Sequence, residues 1–158
     1  MENQREVFLR QAIDLAVDNV RREFGGPFGA LIVKAGEVIA TGTNRVTATN
    51  DPTAHAEVVA IRAACEKIGS FQLDGCEIYT SCEPCPMCLG AIYWARIKAF
   101  YFAASKEDAA RGQFDDSFIY SELDKPVEGR TIPGSRLLAA EGFRPFEEWL
   151  QNQKRVCY

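Results

Sequence analysis

The 158 residues are enough for one domain with a sizeable core, and the composition is that of an ordinary globular protein: 47% hydrophobic and 25% charged residues. The net charge of −4, without any Lys/Arg-rich block, argues against a nucleic-acid-binding protein. No run approaches the roughly 18 apolar residues that span a membrane. We therefore expect neither nucleic acid nor membrane as a partner.

Cysteine usage indicates a reducing compartment. There are six cysteines, but the chain starts with the polar residues Met1-Glu2-Asn3-Gln4 and shows no apolar signal segment. We therefore predict a cytoplasmic protein with reduced thiols. Cys65 and Cys76 lie in apolar stretches and are predicted to be core residues, and Cys157 receives no role.

The first half of the chain predicts a helix and a hairpin. Residues 3–23 form the predicted helix, because apolar side chains recur at helical spacing and Gly25-Gly26-Pro27 then ends it. The recurring residues are Phe8, Ala12, Leu15, Ala16 and Val20. Residues 28–34 and 37–43 are predicted strands, joined by the short turn Ala35-Gly36.

The later elements alternate between helix and strand. We predict helices at 53–68, 86–96, 105–110 and 145–155, and strands at 76–81 and 98–104. This order predicts a three-layer α/β/α domain with a central mixed sheet, in which the later strands are parallel. In such sheets, ligands bind at the carboxyl ends of the strands, where the following helices begin.

Three residues in this region are candidate metal ligands. His55, the one histidine of the chain, lies in Thr53-Ala54-His55-Ala56-Glu57, and Cys85 and Cys88 lie in Pro84-Cys85-Pro86-Met87-Cys88. One imidazole and two thiols are a ligand set that Zn²⁺ prefers, and three protein ligands leave the fourth tetrahedral position for water, as in catalytic sites.

The local sequence places these ligands at helix N-termini. Pro86 is predicted to be the first helical residue, which makes Cys85 the N-cap. Asp51-Pro52-Thr53 is predicted to start the other helix, with His55 inside its first turn. The positive end of a helix lowers the pKa of a thiol and favours the metal-binding thiolate.

Cys82 leaves an alternative open, because a site using three cysteines and His55 would be closed and structural. Pro84 disfavours helical angles at Glu83, which leaves Cys82 at the end of the preceding strand. The three-ligand set is therefore favoured, and Glu57, two residues from His55, is predicted to be the general acid and base.

The same residues carry a family resemblance. The pattern His-x-Glu followed by Pro-Cys-x-x-Cys is that of zinc-dependent nucleobase deaminases. Together with Asn44 and the segments 25–30, 50–57, 79–96 and 114–120, it resembles the bacterial guanine deaminases of the cytidine deaminase-like superfamily. The resemblance runs over nearly the whole chain, so residues 1–158 are expected to form a single zinc-dependent deaminase domain.

The resemblance implies hydrolysis of guanine to xanthine and ammonia, with zinc-bound hydroxide attacking C2 and Glu57 moving protons. It further implies that Asp116 assists Glu57 and that Phe28, Asn44 and Tyr158 contact the purine base. A homodimer is also implied, in which a C-terminal segment, about 130–158, is exchanged between subunits.

Other functions remain open at this stage. The substrate of the deaminase could be guanosine, cytosine or adenosine in tRNA, although the acidic charge disfavours tRNA. A non-catalytic zinc module would need a fourth protein ligand and has no use for Glu57. Sequence alone also leaves open whether Asp115 or Asp116 carries the second proton. Without the resemblance, the segment that contains both is better interpreted as a solvated turn with a helix cap.

Overall fold

The computed structural model describes residues 3–158, and these divide into two compact units that meet in sequence at Asp116 and Ser117. Met1 and Glu2, part of the polar start of the chain, lie outside the described residues. The elements of the first unit are α1 (Gln4–Arg21), β1 (Gly29–Lys34), β2 (Glu37–Thr43), α2 (Val46–Thr49), α3 (Ala56–Ile68), β3 (Cys76–Cys82), α4 (Pro86–Trp94), β4 (Ala99–Ala104) and α5 (Lys106–Arg111).

The four strands form one mixed sheet in the order β2-β1-β3-β4. Strand β1 pairs antiparallel with β2 and with β3, whereas β3 and β4 are parallel. Ala35 and Gly36, with φ of 50° and 82°, form the turn between β1 and β2. Positive φ at both central residues matches the turn to the twist of a hairpin.

Side chains along the strands point alternately to the two faces of the sheet, and each face has its own hydrophobic core. On β1, Ala30 and Ile32 pack in a cluster with residues of α3 and α4. Leu31 and Val33 point the other way and pack with Phe8 of α1. Successive side chains of a strand point to opposite faces, so the sheet is covered by helices on both sides. This confirms the predicted three-layer α/β/α fold with a mixed central sheet.

The helix α1 differs in detail from its predicted apolar stripe. Phe8, Ala12 and Ala16 are buried as expected, but Val20 is 47% exposed. Asn19 is buried in its place, at 2% exposure. The last turn of α1 therefore buries an amide rather than an aliphatic side chain.

The start of α3 also differs from the prediction. The helix begins at Ala56, and His55 is its N-cap in an extended conformation rather than a residue of the first turn. Asp51 does not cap the helix, because its carboxylate accepts hydrogen bonds from the backbone N–H and the hydroxyl of Thr53. This local turn at Asp51 satisfies its own polar groups and delays the helix.

Close contact between β2 and α3 depends on Gly42. A methyl group at Gly42 would collide with the carbonyl oxygen of Ala56 and the amide nitrogen of Ala60. Strand and helix touch backbone to backbone here, immediately after the position of His55. The glycine thus fixes the distance of the first turn of α3 from the sheet.

We expect Gly42→Ala to lower the free energy of unfolding by roughly 1–3 kcal/mol, the usual cost of overpacking a core. Gly90→Ala in α4 is the matched control, since a methyl group there meets nothing within 4 Å and alanine is the better helix former. Urea unfolding of both variants measures the difference. Equal stability of the two would contradict the close approach at Gly42.

The second unit, Ser117–Tyr158, contains α6 (Ser117–Leu123), a 3₁₀ turn (Val127–Gly129) and α7 (Arg144–Gln151). Glu122 of α6 accepts hydrogen bonds from the backbone N–H and the hydroxyl of Thr131. In α7, Phe146, Trp149 and Leu150 are exposed. None of the described helices is long and apolar enough to cross a membrane.

Candidate active site

The structure brings together the three predicted metal ligands of the first unit. His55 is the N-cap of α3, and Cys85 is the N-cap of α4 with Pro86 directly after it. Cys88 follows in the first turn of α4 and is fully buried. The donor atoms of His55, Cys85 and Cys88 all lie within 4.8 Å of one another.

The distances within this group fit zinc. The Nδ1 atom of His55 lies 3.6 Å from the Sγ of Cys85 and 3.5 Å from the Sγ of Cys88. Zinc bonds of about 2.0–2.1 Å to nitrogen and about 2.3 Å to sulfur, at tetrahedral angles, hold the two donor atoms about 3.5 Å apart. One nitrogen and two sulfurs are also the donor types that Zn²⁺ favours.

Electrostatics support a thiolate in this group. The pKa of Cys85 is lowered to about 4, first by the hydrogen bond from the Cys88 thiol and also by the bond with His55. The pKa of Cys88 is raised by the same thiol pair and by burial. Two sulfurs that share one proton and lie beside an imidazole form a site prepared for a cation.

Cys82 lies outside the group formed by His55, Cys85 and Cys88. It is the last residue of β3, and its thiol donates a hydrogen bond to the carbonyl oxygen of Ser105 at 3.6 Å. Burial, followed by the nearby charge of Glu57, raises the pKa of Cys82 to about 11. The Cys82 thiol is not part of the group of three donor atoms, so the geometry favours the open site.

Glu57 lies in the first turn of α3 and is 7% exposed. Burial is the main cause that raises its pKa, and the negative charge of Cys85 adds to it. A carboxyl group with a raised pKa exchanges protons near neutral pH more readily than an exposed glutamate. The side chain has the environment of a general acid and base.

A cavity of about 560 Å³ adjoins this cluster, within the range of roughly 300–1,000 Å³ typical of small-molecule sites. His55, Glu57 and Cys85 contribute to its walls. Phe28 and Phe114 also line it, with their rings edge to face and their centroids 5.0 Å apart. The two nearly perpendicular rings give the cavity an apolar wall against which an aromatic ligand can pack.

The two neighbouring acids both line the cavity, in different environments. Asp116 is half-buried, whereas Asp115 is exposed. Burial first, and then the charge of Cys85, raises the pKa of Asp116. Asp116 is therefore a candidate for holding a proton at this wall of the cavity.

Asn44 is buried, lines the cavity and is held in one orientation. Its Oδ1 accepts hydrogen bonds from the backbone N–H groups of Gly26 and Val46, both at 3.3 Å. Within residues 3–158, no protein acceptor takes a hydrogen bond from its Nδ2. The amide thus keeps donors available for a ligand.

The remaining predicted site residue lies elsewhere in the chain. Tyr158 is the last residue of the second unit and is exposed, whereas the residues that line the cavity all belong to the first unit. Sequence reasoning missed Phe114 as a wall residue and Asn19 as a buried polar group. The aromatic residue directly before the two acids was the available signal for Phe114.

Comparisons with known proteins agree with this site. Residues 2–104 match the family described as cytidine and deoxycytidylate deaminase zinc-binding region. Guanine deaminase of Bacillus subtilis (strain 168) is 60% identical over 144 residues, which cover 91% of this chain and 92% of that protein. The chain belongs to this deaminase family. The predicted resemblance is confirmed, and the zinc-binding region confirms zinc as the cofactor.

Two further comparisons place this deaminase among its relatives. The X-ray structure of guanine deaminase from Bacillus subtilis superposes with a TM-score of 0.96 at 56% identity, covering 100% of this chain and 99% of that one. The tRNA-specific adenosine deaminase of Aquifex aeolicus (strain VF5) is 42% identical, covering 78% of each chain. The individual ligand and proton-transfer residues stay predictions.

Proposed function

We propose that this deaminase hydrolyses guanine to xanthine and ammonia. One observation carries the choice of guanine: the likeness to guanine deaminase extends over the whole chain, including the segment after residue 104 that lies beyond the family match. That segment supplies Phe114 and Asp116 to the cavity. The likeness to tRNA-specific adenosine deaminases is weaker: one of them matches 94% of this chain at 40% identity, against 60% identity for guanine deaminase. The structure of a tRNA:A34 deaminase covers 65% of this chain with a TM-score of 0.62.

His55, Cys85 and Cys88 are the residues that would hold zinc. When bound, zinc lowers the pKa of a coordinated water molecule, so that a nucleophile is available at neutral pH. The paired thiols and the imidazole supply the charge and the donor set for the cation. The N-caps of α3 and α4 fix the positions of His55 and Cys85.

Side chains around the cavity orient the base. A purine ring packs against the wall formed by Phe28 and Phe114. The Nδ2 of Asn44 donates to the edge of guanine that carries O6 and N7, both of which are acceptors. Binding that edge at Asn44 turns the opposite side of the ring, with C2 and its amino group, toward Glu57.

Two carboxyl groups then move protons. Glu57 takes a proton from the attacking water and delivers it to a ring nitrogen next to C2, N3 in our assignment. Asp116 delivers a proton to the exocyclic nitrogen, because an amino group leaves as ammonia only after protonation. As the C2–N bond breaks, the hydroxyl group on C2 gives its proton to the Asp116 carboxylate and becomes the carbonyl group of xanthine. The raised pKa of each carboxyl group supports these roles.

Ammonia release from a panel of compounds tests the proposal. Purified protein, with zinc measured on the same sample, is assayed on guanine, guanosine, cytosine and a tRNA anticodon stem-loop that contains adenosine. We expect the highest kcat/KM for guanine. A higher kcat/KM for another compound would make that compound the substrate. Zinc in the sample without any ammonia release would indicate a non-catalytic zinc module.

Two variants that remove the same charge, Asp116→Asn and Asp115→Asn, test the role of the second carboxyl group. We expect Asp116→Asn to lower kcat for guanine by roughly a hundredfold, the usual size of a general-acid contribution. Because the interaction is made in the transition state, kcat and kcat/KM fall together. Asp115→Asn is the control, and steady-state kinetics with zinc content and thermal unfolding measure both. Equal, small effects of the two substitutions would indicate that Asp115 and Asp116 form a solvated turn without a catalytic role.

We also propose a homodimer in the cytoplasm. The exposed apolar side chains of α7, Phe146, Trp149 and Leu150, support association with a second copy. The six cysteines, all free thiols, support a reducing compartment. Exchange of residues 130–158 between subunits, a single domain over 1–158 and contact of Tyr158 with the base stay predictions.

A further inference from the structure

Asn19, in the last turn of α1, joins two segments that line the cavity. Its Nδ2 donates hydrogen bonds to the carbonyl oxygens of Gly26, at 2.9 Å, and of Asn44, at 3.0 Å. Its own backbone carbonyl accepts from the N–H of Phe24 at 3.0 Å. The end of α1 thus holds the loop that follows it and the residue that follows β2.

These bonds belong to a closed network around two proposed substrate contacts. The carbonyl oxygen of Gly26 also accepts from the N–H of Phe28, at 2.9 Å. The N–H of Asn44 donates to the carbonyl oxygen of Phe28 at 3.1 Å, and the N–H of Gly26 donates to the Oδ1 of Asn44. Phe28 and Asn44 therefore depend on one another and on Gly26 for their positions.

The backbone of this loop lies close to Asn44 and Phe28. A methyl group at Gly25 would collide with the carbonyl oxygen of Asn44. At Gly26, a methyl group would lie 3.4 Å from the ring of Phe28 and 3.5 Å from the amide carbon of Asn44. Gly25 and Gly26 thus lie in contact distance of the aromatic wall and of the Asn44 amide.

Asn19 lowers the stability of the folded state through its side-chain oxygen. Its Oδ1 is buried and, within residues 3–158, has no hydrogen-bond partner. An unpartnered buried acceptor destabilises the folded state, and an aliphatic side chain of similar size would avoid this. The gain from Asn19 therefore lies in the two hydrogen bonds that its Nδ2 donates.

We infer that Asn19 is a positioning residue for base recognition: it holds Gly26 and Asn44 so that the Asn44 amide presents its Nδ2 to the substrate. The statement that Asn19 serves base recognition rests on the proposed function. The hydrogen bonds from Asn19 to Gly26 and Asn44 exist without substrate, and their effect on the loop can be measured without it. Asn19 acts through Asn44 and has no proposed contact with the reacting atoms.

Asn19→Leu removes both donors at similar volume. We expect KM for guanine to rise about tenfold, the size of one to two lost hydrogen bonds, with kcat within about threefold and zinc content unchanged. Phe8→Leu is the matched control in the same helix, since Phe8 is buried against Tyr79. The control should lower the unfolding temperature and leave KM unchanged. Asn19→Ala, which removes both donors without adding a charge, replaces the leucine variant if that does not fold.

Amide hydrogen exchange of the substrate-free protein provides the second measurement. Exchange at 25–28 and 44–46 should become faster in Asn19→Leu and not in Phe8→Leu. Unchanged exchange in these segments, or an equal KM in both variants, would overturn the inference. If the wild-type protein released no ammonia from guanine, the proposed function would fail, and the exchange data would still decide whether Asn19 positions the loop.

Discussion

Turnover of guanine falls by roughly a hundredfold or more in Glu57→Gln, since general acid–base groups contribute about 10²–10⁴ in rate. The amide has nearly the shape of the carboxyl group but does not exchange protons. His55, Cys85 and Cys88 are untouched, so zinc content should equal that of the wild-type protein. Steady-state kinetics and metal analysis on the same preparation measure both quantities.

The fold of Glu57→Gln should be at least as stable as that of the wild-type protein. Burial raises the pKa of Glu57 above its ordinary value. A carboxyl group with a raised folded-state pKa contributes stability only at low pH, and this contribution is lost as the pH rises through that pKa. At neutral pH the amide therefore removes nothing stabilising, and thermal unfolding at pH 7 checks this.

Glu23→Gln is the matched control, because Glu23 also lines the cavity but is exposed. The same chemical change there should leave turnover close to that of the wild-type protein. Ordinary activity in Glu57→Gln would make this carboxyl group structural and the proposed proton transfer wrong. Equal losses at both positions would indicate a general effect of cavity charge instead.

Local sequence was sufficient for the elements whose signals are local. Ala35-Gly36 adopts the positive φ angles of a hairpin turn, and Pro86 starts α4 with Cys85 as its N-cap. Proline fixes its own φ and glycine permits positive φ, so their positions predict structure without knowledge of tertiary contacts. The parallel pairing of β3 and β4 also followed from the helix between them.

Predictions failed where side chains compete for the backbone. Asp51-Pro52-Thr53 is predicted to start a helix, yet the Asp51 carboxylate accepts hydrogen bonds from Thr53, and His55 occupies the N-cap position of α3. Here short-range hydrogen bonding decides between alternatives that have similar intrinsic preferences.

Some site residues could be predicted from short sequence motifs, whereas others are recognised only from tertiary contacts. The ligands and Glu57 lie in short motifs whose chemistry is visible in the sequence. Asn19 was invisible, because its partners Gly26 and Asn44 are distant in sequence or outside helical register. A polar residue on a helix ordinarily reads as solvent-exposed, and only the fold brings two carbonyl groups to its amide.

Zinc should be lost when any of the three proposed ligands is removed. We expect about one zinc per chain in the wild-type protein and nearly none in His55→Ala, Cys85→Ala or Cys88→Ala, because two remaining ligands do not hold a tetrahedral site. Metal analysis after gel filtration measures this. The unfolding temperature should fall as well, since a metal that binds only the folded state stabilises it.

Cys82→Ser is the control that separates the open site from a closed one. The Cys82 thiol donates to the carbonyl oxygen of Ser105, and a serine hydroxyl donates in the same way. This variant should retain zinc and turnover. Metal loss at the level of Cys85→Ala would instead give zinc four protein ligands, without a position for water, and would leave hydrolysis of guanine without its nucleophile.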